Sequence, residues 1–168
     1  MSVEIRPERS GDESGIRRVN ERAFAQSSEA DIVDAVRSAG AMTLSLVALL
    51  RGEVVGHILF SPVTVQSPNG NFDDVGLAPM AVVPELQKNG IGSRLVQSGL
   101  AELRAAGHEL VVVLGHPAYY PRFGFGKAST YEIRSAVPDE VFMALELKPG
   151  VLRGRGGGVV RYRPEFAA

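Results

Sequence analysis

The stretch Met80-Ala81-Val82-Val83-Pro84-Glu85-Leu86-Gln87-Lys88-Asn89-Gly90-Ile91-Gly92-Ser93-Arg94-Leu95 reads as a strand that gives way to a helix. The apolar run ends at Val83. From Gly90 onward, Ile91, Leu95, Val96, Leu100 and Leu103 recur at helical spacing until Gly107 stops the helix. A helix N-terminus offers unpaired N–H groups and the positive end of the dipole, and glycines there admit a ligand to the backbone. The turn therefore suits a phosphate or pyrophosphate. Two familiar phosphate patterns fail. A Rossmann fingerprint needs Gly or Ala where Leu95 stands. A P-loop needs Gly-Lys-Ser/Thr, and Gly126-Lys127-Ala128 lacks the hydroxyl, with Pro121 in place of the first glycine. What remains is Gln87-x-x-Gly90-x-Gly92, which alone reads equally well as a plain glycine-rich helix start.

Outward from this turn, strands and helices alternate. Val3 to Arg6 alternates with period two, and Gly11 to Ala25 carries a helical stripe at Ile16, Val19, Ala23 and Phe24. A second helix is expected over Glu29 to Ser38, then strands at Thr43–Arg51 and Val54–Val65 about the tight turn Arg51-Gly52-Glu53. Ser67-Pro68-Asn69-Gly70-Asn71 is a turn signal that sends Phe72 to Val83 back antiparallel. Leu110 to Leu114 reads as a buried central strand. The last third yields only two strands, Val141–Leu147 and Val159–Tyr162. The class is α/β or α+β, in a single domain over residues 1–168.

Composition narrows the function. The 168 residues are 45% hydrophobic and 22% charged, and 18 basic residues against 19 acidic ones point to neither nucleic acid nor anionic membrane as partner. The absence of cysteine rules out disulfides, thiolate zinc and a cysteine nucleophile. The charged N-terminus lacks a signal-peptide core, and no apolar run nears the ~20 residues of a membrane span, so a cytoplasmic protein is expected. His57, His108 and His116 lack metal-ligand spacing, and no metal is expected.

Pro79 and Pro84 bracket the strand Met80–Val83 and each lacks a donor, so the strand cannot be fully laddered and could take an extended, amide-containing ligand. After the buried strand comes Gly115-His116-Pro117-Ala118-Tyr119-Tyr120-Pro121-Arg122-Phe123-Gly124-Phe125, a histidine and two tyrosines at a strand end. With these residues in place, the chain resembles the GNAT superfamily of acyl-CoA-dependent N-acetyltransferases. The matching residues are Val82-x-Pro84-x-x-Gln87-x-x-Gly90-x-Gly92-x-x-Leu95 and Tyr120-x-x-x-Gly124-Phe125. The Gly-His-Pro-x-Tyr-Tyr-x-Arg-Phe-Gly-Phe segment, with the later Phe142-Met143-Ala144, looks like one bacterial subgroup with poorly defined substrates.

The resemblance implies a mixed, mainly antiparallel central sheet flanked by helices, with the fourth and fifth strands splayed around the cofactor. It implies acetyl-CoA or CoA as co-substrate, its pyrophosphate held by the amides of Gln87, Lys88, Asn89, Gly90, Ile91, Gly92 and Ser93. Val82 and Val83 would bind the pantetheine arm and polarise the thioester carbonyl through the Val82 N–H, and Tyr120 would face the sulfur. The acceptor would be a small-molecule amine or a peptide or protein amine, acetylated by direct attack in a ternary complex, and a homodimer is compatible with this. A non-catalytic CoA-binding module of the same fold is the alternative.

Other residues divide between chemistry and structure. His116, four residues before Tyr120, is the candidate base, being able to work near neutral pH. His57, among apolar neighbours, reads as a core histidine. Glu29 opens the second helix, where its plain role is helix-dipole chemistry; by the resemblance it borders the acceptor and would bind a cationic amine. Tyr120 itself reads alternatively as an amphipathic core residue. Phe123, Phe125, Phe142 and Met143 read chiefly as core. Arg153, Arg155, Arg161 and Arg163 read as a solvated basic edge.

Overall fold

The computed structural model describes residues 2–167. Among them are the strands β1 (Val3–Pro7), β2 (Leu44–Leu50), β3 (Glu53–Ser67), β4 (Gly70–Val82), β5 (Leu110–Leu114), β6 (Gly126–Lys127), β7 (Ile133–Arg134), β8 (Phe142–Glu146) and β9 (Gly158–Tyr162). The α-helices are α1 (Glu13–Phe24), α2 (Ser28–Ser38) and α3 (Ile91–Ala105). The class is mixed α/β, with mainly antiparallel pairing and parallel pairs at β4–β5 and β7–β9. The chain divides into two compact units, Met1–Ser61 with Ala78–Glu102, and Pro62–Leu77 with Leu103–Ala168.

In the first unit β1 pairs antiparallel with β2, and β2 with β3. The β2–β3 connection turns on Arg51 and Gly52, both left-handed at φ 53° and 80°, a pairing that matches strand twist in two-residue hairpins. Helix α3 lies tight against β3. A Cβ on Gly56 would come within 3.2 Å of Ile91, Leu95 and Ala48, and one on Gly99 would meet the Phe60 ring at 2.3 Å. The apolar stripes of α1 and α2 are buried at Ile16, Val19, Val33 and Val36, but Phe24, expected on the α1 stripe, is exposed at the helix's last residue.

A closed circuit of polar contacts runs through this unit. Arg17 on α1 donates to Asp34 on α2, Arg37 donates to Asp34 and Glu8, and Ser45 Oγ donates to Glu8 at 2.7 Å. Because the Ser45 proton is committed to Glu8, its oxygen accepts from His57 Nε2–H at 2.9 Å. His57 Nδ1 then accepts from Asn20 Nδ2 on α1, 3.2 Å away. His57 is fully buried, as its apolar neighbours in the sequence lead one to expect of a core histidine. Burial chiefly, with Arg37 adding and Glu8 opposing, pushes its pKa down to about 4.

In the second unit the outer half of β3 pairs with β9, and β7 joins β9. Strand β4 pairs in parallel with β5 over Val75–Leu77 only; β5 pairs with β8, and β8 with β6. Val63, Val65, Leu110, Val112, Ile133 and Phe142 form its core. One expectation fails here. Arg155 is not on a solvated edge but 5% exposed, donating to Asp74 at 2.6 Å with its guanidinium 4.2 Å over the Phe72 ring. Asn69 Nδ2 holds the incoming loop by the carbonyls of Gly154 and Arg155. Charge pattern could not show this, because Asp74 lies 81 residues away in sequence. Arg161 follows the expectation and is exposed.

Candidate functional site

Strand β4 ends at Val82, and Pro84–Leu86 makes one short turn before α3. Val83 N–H donates to the Val55 carbonyl at 3.0 Å, and Leu86 N–H to the Val83 carbonyl. The Val83 amide is therefore committed within the protein and is not an open donor, and neither is the Gln87 amide expected at the pyrophosphate, which donates to the Pro84 carbonyl at 3.3 Å. Side-chain amides complete the loop. Gln87 Nε2 donates to the Val82 carbonyl at 3.0 Å, and Asn89 Nδ2 to the carbonyls of Leu86 and Gln87 at 3.1 and 3.0 Å. With these carbonyls occupied, the loop's remaining polarity is donor-rich.

Lys88 and Gly90 both adopt left-handed backbone, φ 65° and 83°, the kind of conformation by which loops gather N–H groups for an anion. The first intrahelical bond of α3 runs from Arg94 N–H to the Gly90 carbonyl, which leaves the first-turn amides of Ile91 and Gly92 without acceptors inside the helix. A Cβ built on Gly90 meets nothing within 4 Å, so an open cradle stands at the helix start, and Lys88, Asn89 and Gly90 are exposed. Amide donors, a helix dipole and a glycine without neighbours fit a pyrophosphate. The side chains of Gln87 and Asn89 add a contribution that the sequence pattern does not separate from their backbone; a glutamine and an asparagine in a loop of unpaired carbonyls were the available signal.

The tyrosine segment belongs to the second unit. Strand β5 leads into Gly115, and the His116 carbonyl accepts the N–H groups of Tyr119 and Tyr120 at 3.1 and 3.4 Å. His116 and Tyr120 thus share one tight turn, closed by Gly124 at φ 101°. Tyr120 is 7% exposed and meets Tyr119 and Phe125 edge-on, with centroids 5.1 and 5.7 Å apart. Its ring lies so close to Gly115 that a Cβ there would stand 2.4 Å from it. Burial first, and the neighbouring Tyr119 second, pushes the Tyr120 phenol up to about 12. His116 is exposed. Phe125, Phe142 and Met143 are core, while Phe123 is half-buried. Glu29, in the first turn of α2, accepts from Gln26 Nε2 through both carboxylate oxygens.

Known proteins share this fold. The family model described as an acetyltransferase (GNAT) domain matches residues 4–128. The uncharacterized N-acetyltransferase YjhQ of Escherichia coli K12 is 39% identical over 85% of this chain and 84% of its own length. The uncharacterized N-acetyltransferase YhbS of the same strain is 38% identical over 96% and 97%. Among solved structures, YhbS from Escherichia coli in complex with CoA superposes with a TM-score of 0.92 at 37% identity, covering 99% of this chain and 92% of that one. A GNAT acetyltransferase from Brucella melitensis in complex with acetyl-CoA gives 0.82 at 39% identity, covering 98% of each. With its fold and most of its length matched, the chain belongs to the GNAT family of acetyltransferases.

Proposed function

We propose that this chain transfers the acetyl group of acetyl-CoA to a primary amine by direct attack in a complex holding both substrates. The observation that carries the reading is the donor-rich turn from β4 into α3, present in a chain whose relatives are seen with CoA and with acetyl-CoA. The co-substrate, when bound, supplies an acetyl thioester. The amides from Lys88 to Ser93 hold its pyrophosphate, the Gln87 N–H being committed to the Pro84 carbonyl, and the Val82 N–H stabilises negative charge that develops on the thioester oxygen, a task for which a donor fixed in advance is suited. Val83 contributes apolar surface to the arm, its own amide being committed to Val55.

The amine must lose a proton, its bond to carbon must form, and the sulfur must leave. His116 takes the proton, directly or through water. Tyr120 serves the sulfur as a hydrogen-bond donor. Its pKa of about 12 against ~8.5 for an ordinary thiol makes complete proton donation uphill by about 5 kcal/mol, since each unit is 1.36 kcal/mol. Without a cysteine to carry the acetyl group, transfer in one complex is the simpler course. Glu29, with its carboxylate held by Gln26, receives a cationic acceptor, and the 168 residues work as one catalytic domain in the cytoplasm. No helix among the described residues is long and apolar enough to cross a membrane.

Thiol release from acetyl-CoA across a panel of small amines, amino acids and peptides tests the assignment. Amine-dependent release above background is the expected result. Binding of acetyl-CoA with no such release from any class of amine would instead leave a donor-binding module.

A further inference from the structure

Beside the stem of the 83–90 turn, the first unit contains a hollow of about 470 Å³, within the ~300–1,000 Å³ of small-ligand pockets. Its wall includes Val83, Glu85 and Leu86 but none of residues 87–93. The floor is apolar, with Val54, Val55 and Val83 buried and Leu50 and Leu86 half-buried. The rim is cationic. Arg18 and Arg22 stand one turn apart on α1, and Arg51 occupies the β2–β3 turn. Arg22 pairs with Glu85. Among the described residues Arg18, Arg51 and the remaining rim carboxylate, Glu53, have no ion-pair partner. Three arginines against two carboxylates leave the rim one positive charge in excess.

Both uncommitted arginines are placed at a cost. Like charges one helical turn apart repel, so Arg18 opposes Arg22. Arg51 holds φ 53°, a left-handed conformation that a glycine or asparagine would adopt with less strain. A bound anion would offset the repulsion, and the buried valines offer its apolar part a seat.

We propose that this hollow binds a small organic anion, a carboxylate head on a short apolar body, at a site separate from the acetyl-transfer site. The head lies between Arg18 and Arg51, and the body covers Val54, Val55 and Leu86. Such a ligand touches α1, the β2–β3 turn and the stem of the 83–90 turn together.

The test is an NMR titration of the whole protein with hexanoate, with hexylamine and inorganic phosphate as contrasts, repeated at saturating CoA. Hexanoate should shift the amides of residues 51–55, 83, 85 and 86 saturably, with and without CoA. Hexylamine should leave them unmoved, and phosphate should bind more weakly by about tenfold, lacking the apolar part. In R18Q/R51Q, hexanoate affinity should fall on the order of tenfold or more. The melting temperature of the free variant should stay level or rise, because the repulsion is gone. Absence of saturable shifts, equal binding of hexylamine, undiminished binding in the variant, or a melting temperature lowered by it would each overturn the proposal. Displacement of hexanoate by CoA would overturn its separateness by making the hollow part of the donor site.

Discussion

His57 donates from Nε2 to Ser45 Oγ across 2.9 Å, and the serine hydroxyl in turn donates its hydrogen bond to Glu8. The imidazole is therefore held neutral, as one tautomer, under α1. The unfolded chain takes up a proton on this histidine near pH 6.5 and the native one only near 4, so the unfolded state binds more protons in between. Stability is flat above that window and falls as pH drops through it, by about 2 kcal/mol between pH 7 and pH 5. Glu8 adds to the loss further down: burial raises its pKa, but hydrogen bonds from Arg37 and Ser45 outweigh this and hold it below its usual range. Urea unfolding of the wild type and His57→Gln at both pH values checks this. The variant should be less stable at pH 7 and lack most of the slope.

Asp74 and Arg155 depend on each other. Burial, the largest influence, raises the Asp74 carboxyl, against the opposing pull of Arg155. Arg155→Met leaves that carboxylate buried and unpaired and should cost about 3–5 kcal/mol, whereas Asp74→Leu combined with Arg155→Met should recover most of the loss. A double-mutant cycle by chemical denaturation measures the difference.

These two clusters mark where sequence reading stops. The turn from Val83 to Leu95 was legible because strand end, proline, paired glycines and the start of the helical stripe fall within thirteen residues and obey local rules. His57 was legible as core from its apolar neighbours. Arg155 was misread because its partner is remote and the Gly150–Gly158 segment offers no periodicity. Strands β6 and β7 have two residues each, too few for any repeat to register, and were missed. Among the site residues, the Val83 amide is committed to Val55 by a pairing between β3 and the segment after β4, which single-strand patterns do not encode.

Tyr120→Phe should lower kcat by about 10²–10³-fold, as loss of one donor to developing charge does, with donor affinity unchanged. Because the phenol stays protonated until about 12, it should contribute no limb to the wild-type pH–rate profile below about pH 10. Steady-state kinetics and CoA titrations on both proteins read the split. A fully active variant would remove the tyrosine from the reaction.

Gly115→Ala tests the same hydroxyl through its seat. The added methyl would stand 2.4 Å from the Tyr120 ring, so the ring must shift and kcat should fall on the order of 10²-fold, as misplacement of about an ångström does. CoA affinity should be unaffected, and near-ultraviolet circular dichroism should report the displaced aromatic cluster.

Gly90→Leu should abolish CoA binding in calorimetry. The leucine would fill the open cradle and strain a left-handed position, at a stability cost of about 1–3 kcal/mol. Retained affinity with the fold intact would place the pyrophosphate elsewhere.

The paired hydrogen bonds of Asn89 and Asn69 have a bearing on how the protein ages. Asn89-Gly90 and Asn69-Gly70 are the two Asn-Gly pairs in the chain, and such pairs readily lose ammonia when the glycine nitrogen closes onto the asparagine carbonyl. Each of these side chains is anchored by its nitrogen to two backbone carbonyls, which restrains the rotation that cyclisation requires. Folding thus confers chemical durability on both loops. Deamidation at position 89 would replace a double donor with a carboxylate in the middle of the 83–90 turn.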